Sequence, residues 1–308
     1  MRRVLFGVLW LLAFCAAGVV AGVHTPLHAP LPARLHMPLI GLAAGLSVFG
    51  LAVWRNWLPG LAKAQPLRWG VWQAVWLLLG FLGMQLVGAV GFTILDELIT
   101  HQPVSSAPAS AAGLVAATLA GYAAATLWSL WYINRQGRAK QRDGSPTGFG
   151  WRSATSEAYK TAALLAGAII VLVMVLVDVF PPNLSALKDN ETAKLFATPG
   201  IAALCLLILA VFIAPPVEEY VFRGGIFAAL ASRLSPLWAG LITSALFVAV
   251  HAPEKIYYPP GFIDVGLMAL AAAWLRVRFN SIRPAILLHV LYNGGLMLAA
   301  GLSGGGAS

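Results

Sequence analysis

The sequence predicts an all-α, polytopic integral membrane protein with about nine transmembrane helices. Of its 308 residues, 59% are hydrophobic and only 10% are charged. A soluble protein of this length needs more polar groups to cover its surface. Apolar stretches also recur along the whole chain, and several approach the roughly 20 residues that an α-helix needs to cross a bilayer.

The first predicted helix, at residues 4–23, directly follows Arg2 and Arg3. Its apolar part is longer than that of a typical signal peptide, so we expect the helix to be retained. A segment rich in proline and histidine separates it from the next helix. The remaining helices are expected at residues 39–54, 70–95, 111–133, 161–180, 201–223, 237–250, 262–275 and 284–302.

The positions of Lys and Arg predict the orientation of these helices. With the amino terminus in the cytoplasm, 16 of the 20 basic residues fall in cytoplasmic segments, and the carboxyl terminus is external. We expect residence in the plasma membrane, which is the inner membrane of a bacterium. The net charge of +9 then reflects topology and attraction to anionic lipid, and no nucleic-acid partner is predicted. The basic residues assigned to the external side are Arg34, Lys188, Lys194 and Lys255.

Composition divides the chain into three parts. Residues 1–133 hold amino-terminal helices without an assigned role. Residues 134–160 form the longest polar segment and are expected to be a basic cytoplasmic loop. Residues 161–308 are expected to form a membrane-embedded core, and the most informative residues of the chain lie within 201–302.

Two carboxylates and an arginine follow the charge-free run at residues 201–214. Ionisable residues at membrane depth are candidates for a functional site because burying them is costly. Glu219 and Arg223 are four residues apart on a helix, which predicts an ion pair. Glu218 points about 100° away from Glu219 and is left for another task. The preceding prolines, at 215 and 216, are expected to bend the helix.

Two histidines on later helices complete the set of candidates. The turn expected at residues 234–236 is about midway between Glu218 and His251, so an antiparallel hairpin would place both at similar depth. Phe247 precedes His251 by about one helical turn and is expected to pack against it. His289 and Asn293 repeat that spacing on the last helix. His289 is expected near the inner surface, so the helices must be staggered or tilted for these residues to meet.

These residues resemble the motifs of the type II CAAX prenyl endopeptidases and their bacterial relatives, the CPBP or abortive-infection-type intramembrane proteases. The family pattern is Glu-Glu-x-x-x-Arg, then Phe-x-x-x-His, then His-x-x-x-Asn or Asp, on separate membrane helices. The chain matches it in order and without substitution, over about one third of its length. The matching residues are Glu218, Glu219 and Arg223, then Phe247 and His251, then His289 and Asn293.

The resemblance implies an intramembrane endopeptidase with a glutamate-activated water and without a metal or another cofactor. Glu218 would take a proton from water, with His251 orienting that water or sharing its proton. His289 and Asn293 would donate hydrogen bonds to the oxyanion that forms on the peptide carbonyl. Glu219, Arg223 and Phe247 would support this arrangement.

Other readings of the same residues remain open. Two histidines and a glutamate can form a zinc site, although His-Glu-x-x-His is absent. Metal content and activity after chelation distinguish the two mechanisms. A transporter or non-catalytic scaffold could use the same polar cavity, and Asn293 could simply connect helices. Asp264 is expected at a membrane interface rather than in a catalytic site.

Geometry limits the substrate. A base held by membrane helices reaches a peptide bond only if the substrate is delivered to the bilayer by a lipid anchor or a hydrophobic segment. The expected partners are therefore the bilayer and a membrane-anchored protein or peptide. The resemblance adds prenylated carboxyl-terminal tails as one option. The position expected for His289 predicts access from the cytoplasmic side.

Overall fold

In a computed structural model, the described residues are 70–100, 111–135, 149–183 and 201–304, and every regular element among them is helical. The helices predicted at 4–23 and 39–54, and most of the loop at 134–160, lie outside these residues. Each of the other predicted helices overlaps an observed one. The observed helices are α1 (Val71–Thr100), α2 (Ala111–Arg135), α3 (Ser156–Val179), a composite α4 described below, α5 (Pro236–Val250), α6 (Gly261–Phe279) and α7 (Arg283–Gly304).

Four helices of the described part of the chain are long and apolar enough to cross a membrane. They span Val71–Ile99, Gly113–Arg135, Ser156–Val179 and Ala203–Ala231. Large apolar side chains are exposed on them, including Trp72 and Leu164, which are 73% and 74% accessible. An apolar surface of this kind fits a lipid environment, so the chain is a membrane protein.

The composite helix α4 contains two π-helical segments. It consists of α-helical segments Ile201–Ile208, Ala214–Glu219 and Phe227–Ala231, joined by π-helical segments Leu209–Ile213 and Tyr220–Ile226. Pro215 and Pro216 follow the first π segment, and neither has an N–H to donate to the preceding turn. The wider π turn accommodates this loss without ending the helix, and such segments often occur at functional sites.

α4 lies at the centre of the described core. Its residues from Tyr220 to Ala231 are all buried. α5 and α6 pack against each other, α6 and α7 do the same, and α3 packs along α7. The backbone amide of Ile282 donates to the carbonyl oxygen of Gly150 at 2.9 Å, which attaches the segment before α3 to the start of α7.

α1 and α2 form an antiparallel hairpin in close contact. A Cβ added at Gly88 would lie 2.5 Å from the carbonyl oxygen of Ala120, and one added at Gly121 would lie 2.6 Å from that of Gln85. Small residues permit such close backbone approach between membrane helices. The hairpin also meets α4, where Leu77 occupies the space beside Gly225.

Gly121→Ala is expected to destabilise the protein by about 1–3 kcal/mol, because the added methyl group meets backbone that cannot rotate away. Gly83→Ala is the matched control, since a Cβ there meets no atom within 4 Å. The control is expected to change stability by no more than about 1 kcal/mol, in the stabilising direction. Thermal unfolding in detergent micelles measures both. Equal melting temperatures for the two variants would contradict the close contact of α1 and α2.

Candidate active site

A buried ion pair on α4 holds His289. Arg223 Nη1 donates to Glu219 Oε1 at 3.0 Å, and neither side chain is exposed. The same oxygen lies 3.0 Å from His289 Nδ1. Because a carboxylate oxygen accepts, Nδ1 of His289 carries the hydrogen. Arg223 Nη2 also donates to the carbonyl oxygen of Ala269 at 2.9 Å, which connects α4 to α6.

Glu218 lies between α2 and α7. The hydroxyl of Tyr122 on α2 donates a hydrogen bond to Glu218 Oε1. Glu218 Oε2 lies 3.8 Å from His289 Nε2. Glu218 is 7% exposed and His289 3% exposed. A carboxylate and an imidazole therefore face each other across a gap that is wider than a direct hydrogen bond.

The ring of Phe247 lies between the two histidines. It stacks on His251 with centroids 4.5 Å apart and meets His289 edge-on at 5.6 Å. The guanidinium carbon of Arg223 lies 4.6 Å from the centre of the same ring. His251 Nδ1 is 2.8 Å from the carbonyl oxygen of Phe247. That oxygen only accepts, so Nδ1 is the donor and Nε2 of His251 is left as an acceptor.

Asn293 connects α7 to the first π segment of α4. Its Nδ2 donates to the carbonyl oxygen of Ala210 at 2.7 Å. A π segment shifts the register of backbone hydrogen bonds, so a side chain can satisfy a carbonyl there. The amide has two hydrogens, and this bond uses one of them.

Asp264 is buried near the start of α6. It is 6% exposed in the first turn of α6, and its Oδ1 lies 3.9 Å from Lys255 Nζ. Nearby, the hydroxyl of Tyr258 donates to the carbonyl oxygen of Phe180 at 2.9 Å. Burial and the charge of Asp264 raise the pKa of Tyr258 to about 12. Tyr258 therefore keeps its proton and connects the end of α3 to the start of α6.

Within residues 70–100, 111–135, 149–183 and 201–304, no three His, Cys, Asp or Glu side chains are grouped as ligands for a metal ion. The polar groups of the site bind one another instead. Glu219 Oε1 contacts both Arg223 and His289, while Glu218 Oε1 accepts from Tyr122.

Sequence reasoning missed Tyr122. It lies on one of the helices that were left without a role, and 96 residues separate it from Glu218. A hydroxyl-bearing ring next to Gly121, within an apolar helix, was the available signal. Neither that spacing nor any periodicity indicates which distant carboxylate the hydroxyl meets.

Comparison with known proteins finds similarity in the carboxyl-terminal part of the chain. Residues 200–295 match the family described as type II CAAX prenyl endopeptidase Rce1-like. An Escherichia coli protein, described as an uncharacterized 24.3 kDa protein, is 35% identical over 100 residues, which cover 32% of this chain and 45% of that protein. The Bacillus subtilis (strain 168) protein named "Putative membrane peptidase YdiL" is 29% identical over 109 residues, which cover 34% of this chain and 41% of that protein.

The chain thus spans less than half the length of these two relatives. No solved structure is significantly similar to it. The three motifs of the sequence all fall inside the matched segment. Residues 200–295 are therefore similar to the Rce1-like type II CAAX prenyl endopeptidases, which is the resemblance that the motifs indicate.

Proposed function

We propose that the protein is an intramembrane endopeptidase that hydrolyses peptide bonds of membrane-anchored proteins or peptides. One observation carries the proposal: the Glu218 carboxylate is held between Tyr122 and His289, next to the fully buried pair of Glu219 and Arg223. The match to the Rce1-like family and the name of the B. subtilis relative support peptidase chemistry. In this proposal, residues 161–308 form the catalytic core.

Glu218 is the proposed general base. Its Oε2 is 3.8 Å from His289 Nε2. A direct N–H···O hydrogen bond is shorter, with a donor–acceptor distance of about 2.7–3.2 Å. A water held against Oε2 would give its proton to Glu218 as its oxygen bonds to the peptide carbonyl carbon. The carbonyl electrons move to oxygen and form the tetrahedral oxyanion. When the oxyanion collapses, the C–N bond breaks and the proton passes from Glu218 to the leaving amine.

The oxyanion needs donors that are already in place. His289 is fixed by its Nδ1 bond to Glu219, so its Nε2 can present a hydrogen when the ring is doubly protonated. Asn293 has a second amide hydrogen besides the one bonded to Ala210. His251, with its Nδ1 hydrogen on the Phe247 carbonyl, offers Nε2 to orient the water. The supporting residues hold these groups in place: Glu219, itself paired with Arg223, bonds to His289, and Phe247 stacks on His251.

The proposed topology has about nine spans, a cytoplasmic amino terminus and an external carboxyl terminus, in the plasma membrane. His289 is the seventh residue of α7, which begins at Arg283. In this orientation α7 begins at the cytoplasmic face, so His289 lies within about 9 Å of that end at 1.5 Å per residue. Substrates would therefore be cut from the cytoplasmic side.

The substrate class is tested by comparing membrane proteomes. Cells expressing the protein are compared with cells expressing Glu218→Gln, and carboxyl-terminal fragments are quantified by mass spectrometry. We expect truncation that depends on Glu218, in lipidated or single-span proteins, near their inner membrane boundary. Truncation confined to externally exposed soluble proteins would contradict both the membrane delivery and the cytoplasmic access.

A further inference from the structure

The helices before the family segment reach into the site. The match to known proteases begins at residue 200, whereas Tyr122 belongs to α2 and bonds to Glu218. We propose that the α1–α2 hairpin is part of the active site and supplies Tyr122 as a positioning residue for the Glu218 carboxylate. This inference rests on the proposed function, because it assigns Tyr122 a role in the same reaction.

Near Tyr122, the α1–α2 hairpin packs against α4 through the aromatic ring of Phe81. The ring of Phe81 on α1 meets Tyr122 edge-on at 6.4 Å and Phe222 on α4 edge-on at 6.5 Å. Phe81 is 2% exposed. Gly121, directly before Tyr122, lies against the backbone of Gln85. Aromatic contacts and close backbone packing thus fix where the Tyr122 hydroxyl lies.

The hydrogen bond from Tyr122 gives the two carboxylate oxygens of Glu218 different surroundings. Tyr122 occupies Oε1, and Oε2 is the oxygen that faces His289. A glutamate side chain has three rotatable bonds, and its terminal torsion is broad, so an unrestrained carboxylate would sample many orientations. A hydroxyl that donates to an ionised carboxylate forms a strong, charge-assisted bond. Tyr122 therefore holds Glu218 in the orientation in which Oε2 reaches the water.

A purely structural reading is that the hydroxyl merely satisfies a buried polar group. The two readings differ in what they change. A structural bond contributes to folding, and its loss lowers stability without selecting one kinetic constant. A positioning bond acts on the reacting oxygen, so its loss lowers kcat and leaves substrate binding almost unchanged.

The test uses the full-length protein in phosphatidylcholine–phosphatidylglycerol liposomes. Two internally quenched peptides serve as probes, one with a carboxyl-terminal prenyl chain and one with a hydrophobic segment in its place. Tyr122→Phe keeps the ring and its contact with Phe81 but removes the hydroxyl. We expect kcat to fall about 10- to 100-fold, the effect of losing one hydrogen bond to a charged group. KM should stay within about twofold.

Thr118→Val is the matched control on the same helix, because the Thr118 hydroxyl donates to the carbonyl oxygen of Leu114 in its own helix and bonds to no other helix among the described residues. Its kcat and melting temperature should equal those of the wild type. Unchanged kcat in Tyr122→Phe overturns the inference. A fall in kcat that Thr118→Val shares also overturns it, because the effect then comes from changing helix α2 and not from the Tyr122 hydroxyl. A fall in kcat matched by an equal-fold rise in KM contradicts the inference as well, because a positioning role leaves KM nearly unchanged.

Glu218→Gln in the same assay distinguishes a failure of the positioning role of Tyr122 from a failure of the proposed peptidase function. If Glu218→Gln is inactive and Tyr122→Phe is fully active, only the positioning role is lost and the proposed function stands. If Glu218→Gln cleaves as fast as the wild type, or if the wild type cleaves neither probe, the proposed function fails and the inference fails with it.

Discussion

Replacing Glu218 by Gln is expected to lower peptide-bond hydrolysis by about 10²–10⁴-fold, the usual contribution of a general base. Glutamine matches glutamate in size, and its amide oxygen can still accept the hydrogen bond from Tyr122. The amide cannot take a proton from water at neutral pH. The variant should therefore fold as the wild type does and lose the chemical step. Cleavage of the two liposome probes measures the rate, and thermal unfolding in detergent measures the fold.

Glu97→Gln provides the matched control, since it makes the same chemical change at an exposed position near the end of α1. Its activity and melting temperature should be those of the wild type. Full activity in Glu218→Gln would remove Glu218 from the mechanism. A loss of activity in both glutamine variants would indicate an effect of charge on the whole protein rather than on the site.

Hydropathy and helical spacing predicted much of what the described residues show. The apolar runs located the helices because a bilayer-spanning helix must be apolar over most of its length. The spacing of Glu219 and Arg223 predicted their ion pair, and the spacing of Phe247 and His251 predicted their stacking. All of these are local relations along one helix. The predicted count of nine helices stays a prediction, because the first two lie outside the described residues.

Relations between helices were beyond this reasoning. Tyr122 meets Glu218 across 96 residues, and Asn293 meets Ala210 across 83. Such contacts depend on how each helix is rotated about its axis, which a single apolar helix with a weakly polar surface does not specify. The contact of α2 with Glu218 could not be predicted for that reason.

The meeting of the three motifs also depends on the irregular winding of α4. The sequence required a stagger or tilt to bring His289 towards Glu218. In the structure, Glu218 and Glu219 lie between two π segments, and Asn293 bonds to the first of them. Two prolines predicted an irregularity in the helix. Prolines accompany kinks, helix ends and π segments alike, so the sequence did not indicate which of the three forms here. The position of Glu218 therefore follows from a backbone feature that hydropathy does not detect.

Arg223→Met is expected to destabilise the protein by about 3–5 kcal/mol, because it leaves the buried carboxylate of Glu219 without its countercharge. Arg223 is fully buried and also donates to the carbonyl oxygen of Ala269. Methionine fills much of the same volume but offers no donor. The melting temperature in detergent should fall sharply. Arg278→Met makes the same change at an exposed position of α6 and should have little effect.

A double variant separates charge from packing. Glu219→Gln combined with Arg223→Met removes both charges, so it should recover part of the stability lost in Arg223→Met alone. Activity should recover less than stability, because the amide oxygen introduced by Glu219→Gln accepts only an uncharged hydrogen bond from His289 Nδ1, which orients the imidazole more weakly than the carboxylate does. Equal melting temperatures for the single and double variants would show that Arg223 acts through packing. Recovery of activity together with stability would show that the negative charge of Glu219 is dispensable and that a neutral acceptor is enough to orient His289.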